Sequence, residues 1–289
     1  MKLAIISEGF HMWPLYVGHA RRFFEQEGLD VQTTVTGSSA KQLEAMVRGD
    51  FDIGLQQSDH VVRSVEQGSD LFIFMANAPQ PDLNLVVAPG IRTFDDLRGR
   101  TVAVDGARSG YALLQNRLLA QNGLREGDYA IVEAGGVKAR FDALQTGTAV
   151  AAWLNPPYDE WLFAGGFGTL GSVAHFFPGY PGSIAAARRS WARANPEQLT
   201  AFIRAFNAAY AWMLEAGNRQ EAEDIAMARL GTDPKQTATA YVAFTSKPRA
   251  DVTVEALQQV IDTVWDAEGY TQPKGEPEKY LDLSYLARA

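Results

Sequence analysis

The chain has no cysteine among its 289 residues, which removes disulfides, thiolate nucleophiles and thiolate metal ligands together. It has only four histidines, and two of them, His19 and His60, fall on stretches with helical patterning, so no metal site is expected. No apolar run reaches the roughly 18 residues a membrane-spanning helix requires. Positive charge is also scarce. Lys and Arg number 26 against 34 acidic residues, for a net charge of −8 and no basic stripe, so a nucleic-acid partner is excluded. What is present is the make-up of an ordinary globular protein, 46% hydrophobic and 21% charged, long enough for two domains with their own cores.

The start of the chain carries a further expectation. Met1-Lys2-Leu3-Ala4-Ile5-Ile6 resembles the opening of an export signal, but Ser7-Glu8-Gly9 ends the apolar run at once, so 3–6 reads as a core strand. On this reading the chain is cytoplasmic if the sequence is complete. It is periplasmic, or lipid-anchored outside the cytoplasm, if a signal has been removed.

Two distant stretches follow one plan. The first has a strand, Gly37-Ser38-Ser39, a helical stretch through Leu43 and Met46, then Gly49-Asp50-Phe51-Asp52-Ile53-Gly54. The second has Ile131-Val132-Glu133-Ala134-Gly135-Gly136, a helical stretch through Phe141 and Leu144, then Gly147 and the apolar run to Trp153. Strand, glycine turn, short helix, glycine stop and second buried strand make a parallel βαβ unit. Having it twice predicts an α/β protein of two similar lobes. The composition turns to loop formers at Asn77-Ala78-Pro79-Gln80-Pro81 and again near His175-Phe176-Phe177-Pro178, which places crossings between lobes there. The first lobe is then 1–79 with 177–289, and the second is 80–176. Pro14 opens a helix predicted to run to Gly28, and helices are expected at 219–230 and 253–267 in a helical tail.

The ordered set Gly28-Leu29-Asp30-Val31, Gly37-Ser38, Gly49-Asp50-x-Asp52-Ile53-Gly54, Asp96-Leu97-Arg98-Gly99, Gly123-Leu124, Ala143-Leu144-x-x-Gly147, Trp153-x-x-Pro156 and Asn195-Pro196 resembles a known superfamily. It is similar to the substrate-binding proteins of ABC importers for sulfonates, nitrate and thiamine-pyrimidine precursors. The resemblance runs from Leu3 to about Ala267 and rests on the order of weak motifs rather than on any one. It implies a two-lobe, type II periplasmic-binding fold with a hinge and an interlobe cleft, no cofactor, a small anionic ligand and an ABC permease as partner.

Independently of the resemblance, ligands of parallel α/β lobes sit beyond the carboxyl ends of the strands, where helix N-termini point. Each such terminus favours an anion by about 0.3–1 kcal/mol. The loop-to-helix junctions at 7–14, 37–40, 105–111 and 153–157 meet that description. They supply Gly37, Ser38, Ser39 and Ser109 as close-approach and hydroxyl positions, Arg108 as a bidentate clamp, and Gln57, Ser58 and Asn155 as polar contacts. Phe10, Trp13, Tyr111, Trp153 and Tyr180 would form an aromatic box, with His11 beside it. Each has a plain structural counterpart: Ser38 and Ser39 as helix caps, Trp153 as sheet-to-helix packing, Asn155 as a turn residue. The leading expectation is capture of a small organic anion, a carboxylate or sulfonate with an aromatic or heteroaromatic body among the options. The alternative is a cytoplasmic decarboxylase or lyase in which His11 and Glu8 act as acid and base and Arg108 clamps a carboxylate.

Overall fold

The computed structural model describes residues 1–79, 83–247, 249 and 252–289; Gln80 and Pro81 of the expected first crossing lie outside them. Backbone contacts group the chain into two compact units. One is Met1–Gln80 with Pro181–Gln258 and Gly275–Ala289; the other is Pro81–Tyr180 with Gln259–Lys274. The sequence reading ran the whole tail with the first lobe, whereas 259–274 pack with the second unit.

The first unit opens with β1 (Lys2–Ile5), α1 (Trp13–Ala20), α2 (Phe23–Gln26) and β2 (Gln32–Val35). Then come α3 (Ser39–Arg48), β3 (Ile53–Gln56), α4 (Ser58–Glu66) and β4 (Leu71–Ala76). The second unit contributes β5 (Asn84–Val87), β6 (Thr101–Val104), α5 (Gly110–Gln121), β7 (Ala130–Glu133) and α6 (Val137–Gln145). It continues with β8 (Ala151–Leu154), α7 (Tyr158–Ala164), β9 (Gly168–Ser172) and α8 (Val173–Phe176). Back in the first unit are β10 (Ile184–Arg188), α9 (Arg189–Ala194), α10 (Pro196–Leu214), α11 (Arg219–Leu230) and α12 (Pro234–Thr245), before α13 (Val254–Glu268).

The sheets are ordered β2-β1-β3-β10-β4 and β7-β6-β8-β5-β9. In each, three parallel strands run edge, centre, third, and an antiparallel strand follows. The repeated βαβ pattern is therefore present as topology. Because right-handed crossovers leave β6 in one direction and β7 in the other, α5 and α6 cover opposite faces of the second sheet. The same holds for α1 and α3 on the first.

The core of the first unit packs Leu3, Ile5, Leu55 and Phe72 of the sheet against Leu15, Phe202 and Phe206. Phe24 stacks on Phe202 at 5.5 Å between centroids. Reaching that position breaks the expected 14–28 helix in two. The chain turns at Arg22, whose φ of 58° is left-handed, and lays the Phe24 ring against Gly18, where a Cβ would come within 2.6 Å. Full burial of each such ring is worth about 1.5–3 kcal/mol, which outweighs the turn of helix lost. Helix α12 was not foreseen, because its Thr- and Ala-rich sequence carries a weak apolar stripe. Its signal was the start: Pro234 at the first position and a capping box between Asp233 and Gln236. Among the described residues no helix is long and apolar enough to cross a membrane.

Candidate functional site

Strands β1, β2 and β3 end in step, with Ile5 opposite both Val35 and Leu55. Their carboxyl ends therefore bring the loops of Glu8 to Met12, Gly37 to Ser39 and Gln57 to Ser58 to one edge of the first unit. Gly37 takes a left-handed φ of 69°, and its amide is bound to Ile6 O at 3.0 Å. Ser38 caps α3: its Oγ accepts from Lys41 N, and its carbonyl accepts from Gln42 N.

Three side chains here are fully enclosed and yet have polar atoms with no partner among the described residues. They are both amide atoms of Gln56, the hydroxyl of Ser58 and Nδ2 of Asn77. Ser58 opens α4, so its hydroxyl adjoins a helix N-terminus. Asn77 is positioned by Ser183, whose Oγ donates to Oδ1 at 3.0 Å. Strand alternation puts Gln56 on the face of Gly54, toward α3, where Gln42 donates to Leu55 O. Leaving a buried donor or acceptor unmet costs about 1–3 kcal/mol, so these groups call for an occupant.

The neighbouring loop is pinned rather than open. Glu8 accepts from Tyr16 OH at 2.5 Å and from Arg229 at 2.5 Å, and Gly9 N donates to Tyr16 OH at 2.9 Å. Burial alone would raise the Glu8 carboxyl, but the Arg229 and Tyr16 bonds and the Arg229 charge outweigh it and hold the group below its ordinary 4.5. Burial, reinforced by Glu8, raises the Tyr16 phenol. His11 keeps an exposed surface on a ring crowded by protein, and the lost hydration outweighs the pull of Glu8, so the imidazole titrates below its usual range. A carboxylate held this way is a weaker base than an ordinary one.

Trp13 is corrected. Its ring is fully buried, its Nε1 donates to Ala222 O at 2.9 Å, and it packs on Phe10, Tyr241 and Phe244 at 5.2, 5.5 and 6.1 Å. It is a core residue of the first unit, and Phe10 is its cover.

In the second unit the loops after β6 and β8 meet in the same way. Here the two arginines differ in burial and partners. Arg108 is exposed, and its Nη2 donates to both carboxylate oxygens of Glu268 at the end of α13, at 2.7 and 2.8 Å, with Glu268 the more buried partner. The buried arginine of this edge is Arg140 on α6, whose Nη1 lies 3.5 Å from Asp105 Oδ1 and whose Nε has no partner among the described residues. Burial lowers the Arg140 guanidinium, opposed by Asp105 and Tyr111. Ser109 is corrected too: its hydroxyl donates to Asp105 and accepts from Ala112 N at 3.1 Å, so it caps α5 and has no proton left for a ligand. Tyr111 is half-buried in the first turn of α5.

Trp153 is nearly as buried as Trp13, at 1% exposure, but its Nε1 has no partner among the described residues. It pairs across the ladder with Leu85 and faces away from the cluster of Ala152, Leu154 and Phe141, so it lies on the α5 side of the sheet. Asn155 turns its Nδ2 back onto Pro156 O at 3.2 Å, before the cis Pro156-Pro157 bond, and acts as a turn residue. Tyr180 is buried beside Phe177. Of the five rings of the expected box, Phe10 and Trp13 belong to one unit and Tyr111, Trp153 and Tyr180 to the other. Among the described residues no group of three or more His, Asp or Glu could hold a metal.

Residues 10–219 match a family model described as NMT1/THI5 like. The chain belongs to that family. YtlA of Bacillus subtilis (strain 168) is 31% identical over 105 residues, which span 35% of this chain and 31% of YtlA. The fold is that of periplasmic-binding proteins. The alkanesulfonate-binding protein SsuA from Xanthomonas axonopodis pv. citri, solved with MOPS bound, aligns with a TM-score of 0.76 at 19% identity over 98% of each chain. The nitrate-binding protein NrtA from Synechocystis PCC 6803 aligns at 0.73 with 13% identity over 99% of this chain and 87% of its own. At such identities the likeness is one of fold.

Gln56, Asn77, Asp105 and Arg140 escaped the sequence reading of this family member. Arg140 did leave a signal. Val137, Arg140, Phe141 and Leu144 are spaced i, i+3, i+4, i+7, so an arginine sits in the apolar stripe of α6.

Proposed function

We propose that this chain is the substrate-binding component of an ABC importer and captures a small organic anion, a carboxylate or sulfonate. The observation that carries the reading is the set of enclosed donors without partners among the described residues at the carboxyl edges of both sheets: Gln56, Ser58 and Asn77 in one unit, Arg140 and Trp153 in the other. Donors buried without acceptors suit a ligand rich in oxygen lone pairs, and they lie where parallel α/β sheets bind ligands. The family and the fold support the same reading. His11, Ser38, Ser39 and Gln57 line the first edge, and Tyr111 and Asn155 the second, as further contacts. A permease is the protein partner, and the place of action is outside the cytoplasm, in the periplasm or on a lipid anchor.

Calorimetry against ethanesulfonate, nitrate, benzoate and thiamine-pyrimidine precursors tests the proposal. Binding of at least one class at about micromolar affinity, near −8 kcal/mol, is expected. Absence of heat with all four classes overturns it.

A further inference from the structure

Gln115 is a fully buried polar side chain in the middle of α5, away from the loops at the strand ends. Tyr111, Gln115, Leu118 and Leu119 are spaced i, i+4, i+7, i+8, so the amide sits at the centre of the stripe that α5 turns to the sheet. Arg117, on the far side of the helix, donates instead to Gln259 O and Thr263 Oγ1 of α13, both at 2.7 Å. Neither Nε2 nor Oε1 of Gln115 has a partner among the described residues. Helical side chains lean toward the N-terminus of their helix, which for α5 follows the carboxyl end of β6. Trp153 projects from β8 into the same layer between α5 and the sheet, and its Nε1 also has no partner among the described residues. The other sheet residues on this face are Leu85, Val102 and Val104, all buried and none able to hydrogen-bond through its side chain. An amide and an indole N–H set in an apolar layer weaken the fold unless their hydrogen bonds are met.

We infer that Gln115 and Trp153 form a neutral polar subsite on the sheet side of α5 that receives a hydroxyl group carried on the body of the ligand. This rests on the proposed binding role and adds a pair of specificity-determining residues to it. A hydroxyl oxygen accepts from the indole N–H, and its proton goes to Gln115 Oε1. A carboxylate or sulfonate has no proton to give Oε1, and an ammonium has no lone pair for the indole. The uncharged pair therefore suits a neutral group, while the acid group stays with the donors at the strand ends.

The test uses matched pairs that differ by one hydroxyl: isethionate with ethanesulfonate, 3-hydroxypropionate with propionate, 3-hydroxybenzoate with benzoate. Calorimetry on the full chain is expected to favour the hydroxylated member of at least one pair by about tenfold or more, because buried groups built to bond a hydroxyl go unpaired with the analogue that lacks it. Gln115→Met keeps the side-chain length and removes both polar atoms. It should bring that ratio toward one, while the urea midpoint of the ligand-free chain holds or rises. An amide that only supported the fold would behave in the opposite way, with a lower midpoint and an unchanged ratio. If Gln115→Met lowers the midpoint and the ratio together, Trp153→Phe decides: a ratio near one supports the subsite, and an unchanged ratio overturns it. Equal binding within every pair, or a ratio that survives Gln115→Met, overturns the inference and leaves the binding role standing. Heat from nitrate or a thiamine-pyrimidine precursor but from no member of any pair does the same. Heat from none of these compounds overturns both.

Discussion

The two sheets share one topology, with the first parallel strand central, the second at the edge and an antiparallel strand after the third, but they are furnished differently. The open groups of the first unit are neutral amides and a hydroxyl: Gln56, Ser58 and Asn77. The second places a charged pair, Asp105 and Arg140, at the corresponding edge, with Arg108 and Glu268 nearby. The same backbone plan therefore carries different groups at its two strand-end edges. Neutral donors hold an acid group with little dependence on its charge, whereas the charged pair reads the sign of what approaches. Trp13 and Trp153 show the contrast at a single residue type. Both are buried, but one N–H bonds to Ala222 O and the other has no partner among the described residues.

That last difference gives the largest expected effect. Trp13→Phe removes a satisfied buried hydrogen bond, so a loss of about 0.5–1.5 kcal/mol beyond the cost of the smaller ring is expected in urea unfolding. Trp153→Phe removes a donor with no partner among the described residues, so it should carry only the cost of the smaller ring. Equal losses would end the distinction between them.

The next effect is one of pH. Glu8 is held below 4.5 in the folded chain, so on acidification the unfolded chain takes up this proton first. Its stabilising share is complete above pH 4.5 and is lost as pH falls through the folded value. Glu8→Gln should flatten the stability profile in that window, measured by denaturation from pH 6 down to pH 3. A profile unchanged by the substitution would show that the Tyr16 and Arg229 contacts do not hold the loop.

The smallest effect belongs to Arg108. Its pair with Glu268 is largely exposed on the arginine side, so Arg108→Ala should cost about 0–1 kcal/mol and leave anion binding unchanged. A collapse of binding in this variant would return Arg108 to the site at the expense of Arg140.

Much of the frame was legible because local chemistry writes it. The glycine stops, the Ser38 cap and the alternation of apolar strands with helices of 3.6-residue period follow from backbone sterics and hydrogen bonding within a few residues. The site was legible only as a set of loops. Its individual contacts depend on partners far away in the chain: Glu268 lies 160 residues from Arg108, and Ala222 lies 209 residues from Trp13. Helix α12 was missed for a related reason, since its burial against Trp13 and Tyr210 is a tertiary fact.

From the sequence alone came an α/β chain with a repeated βαβ plan and its loops gathered at strand ends, because periodicity and turn chemistry are local properties. Only the folded chain decided which arginine is enclosed, which serine has used its proton and which indole has an acceptor. Those outcomes turn on burial and on partners that meet through long-range packing, and only the place of Arg140 in the apolar stripe of α6 hints at one of them along the chain.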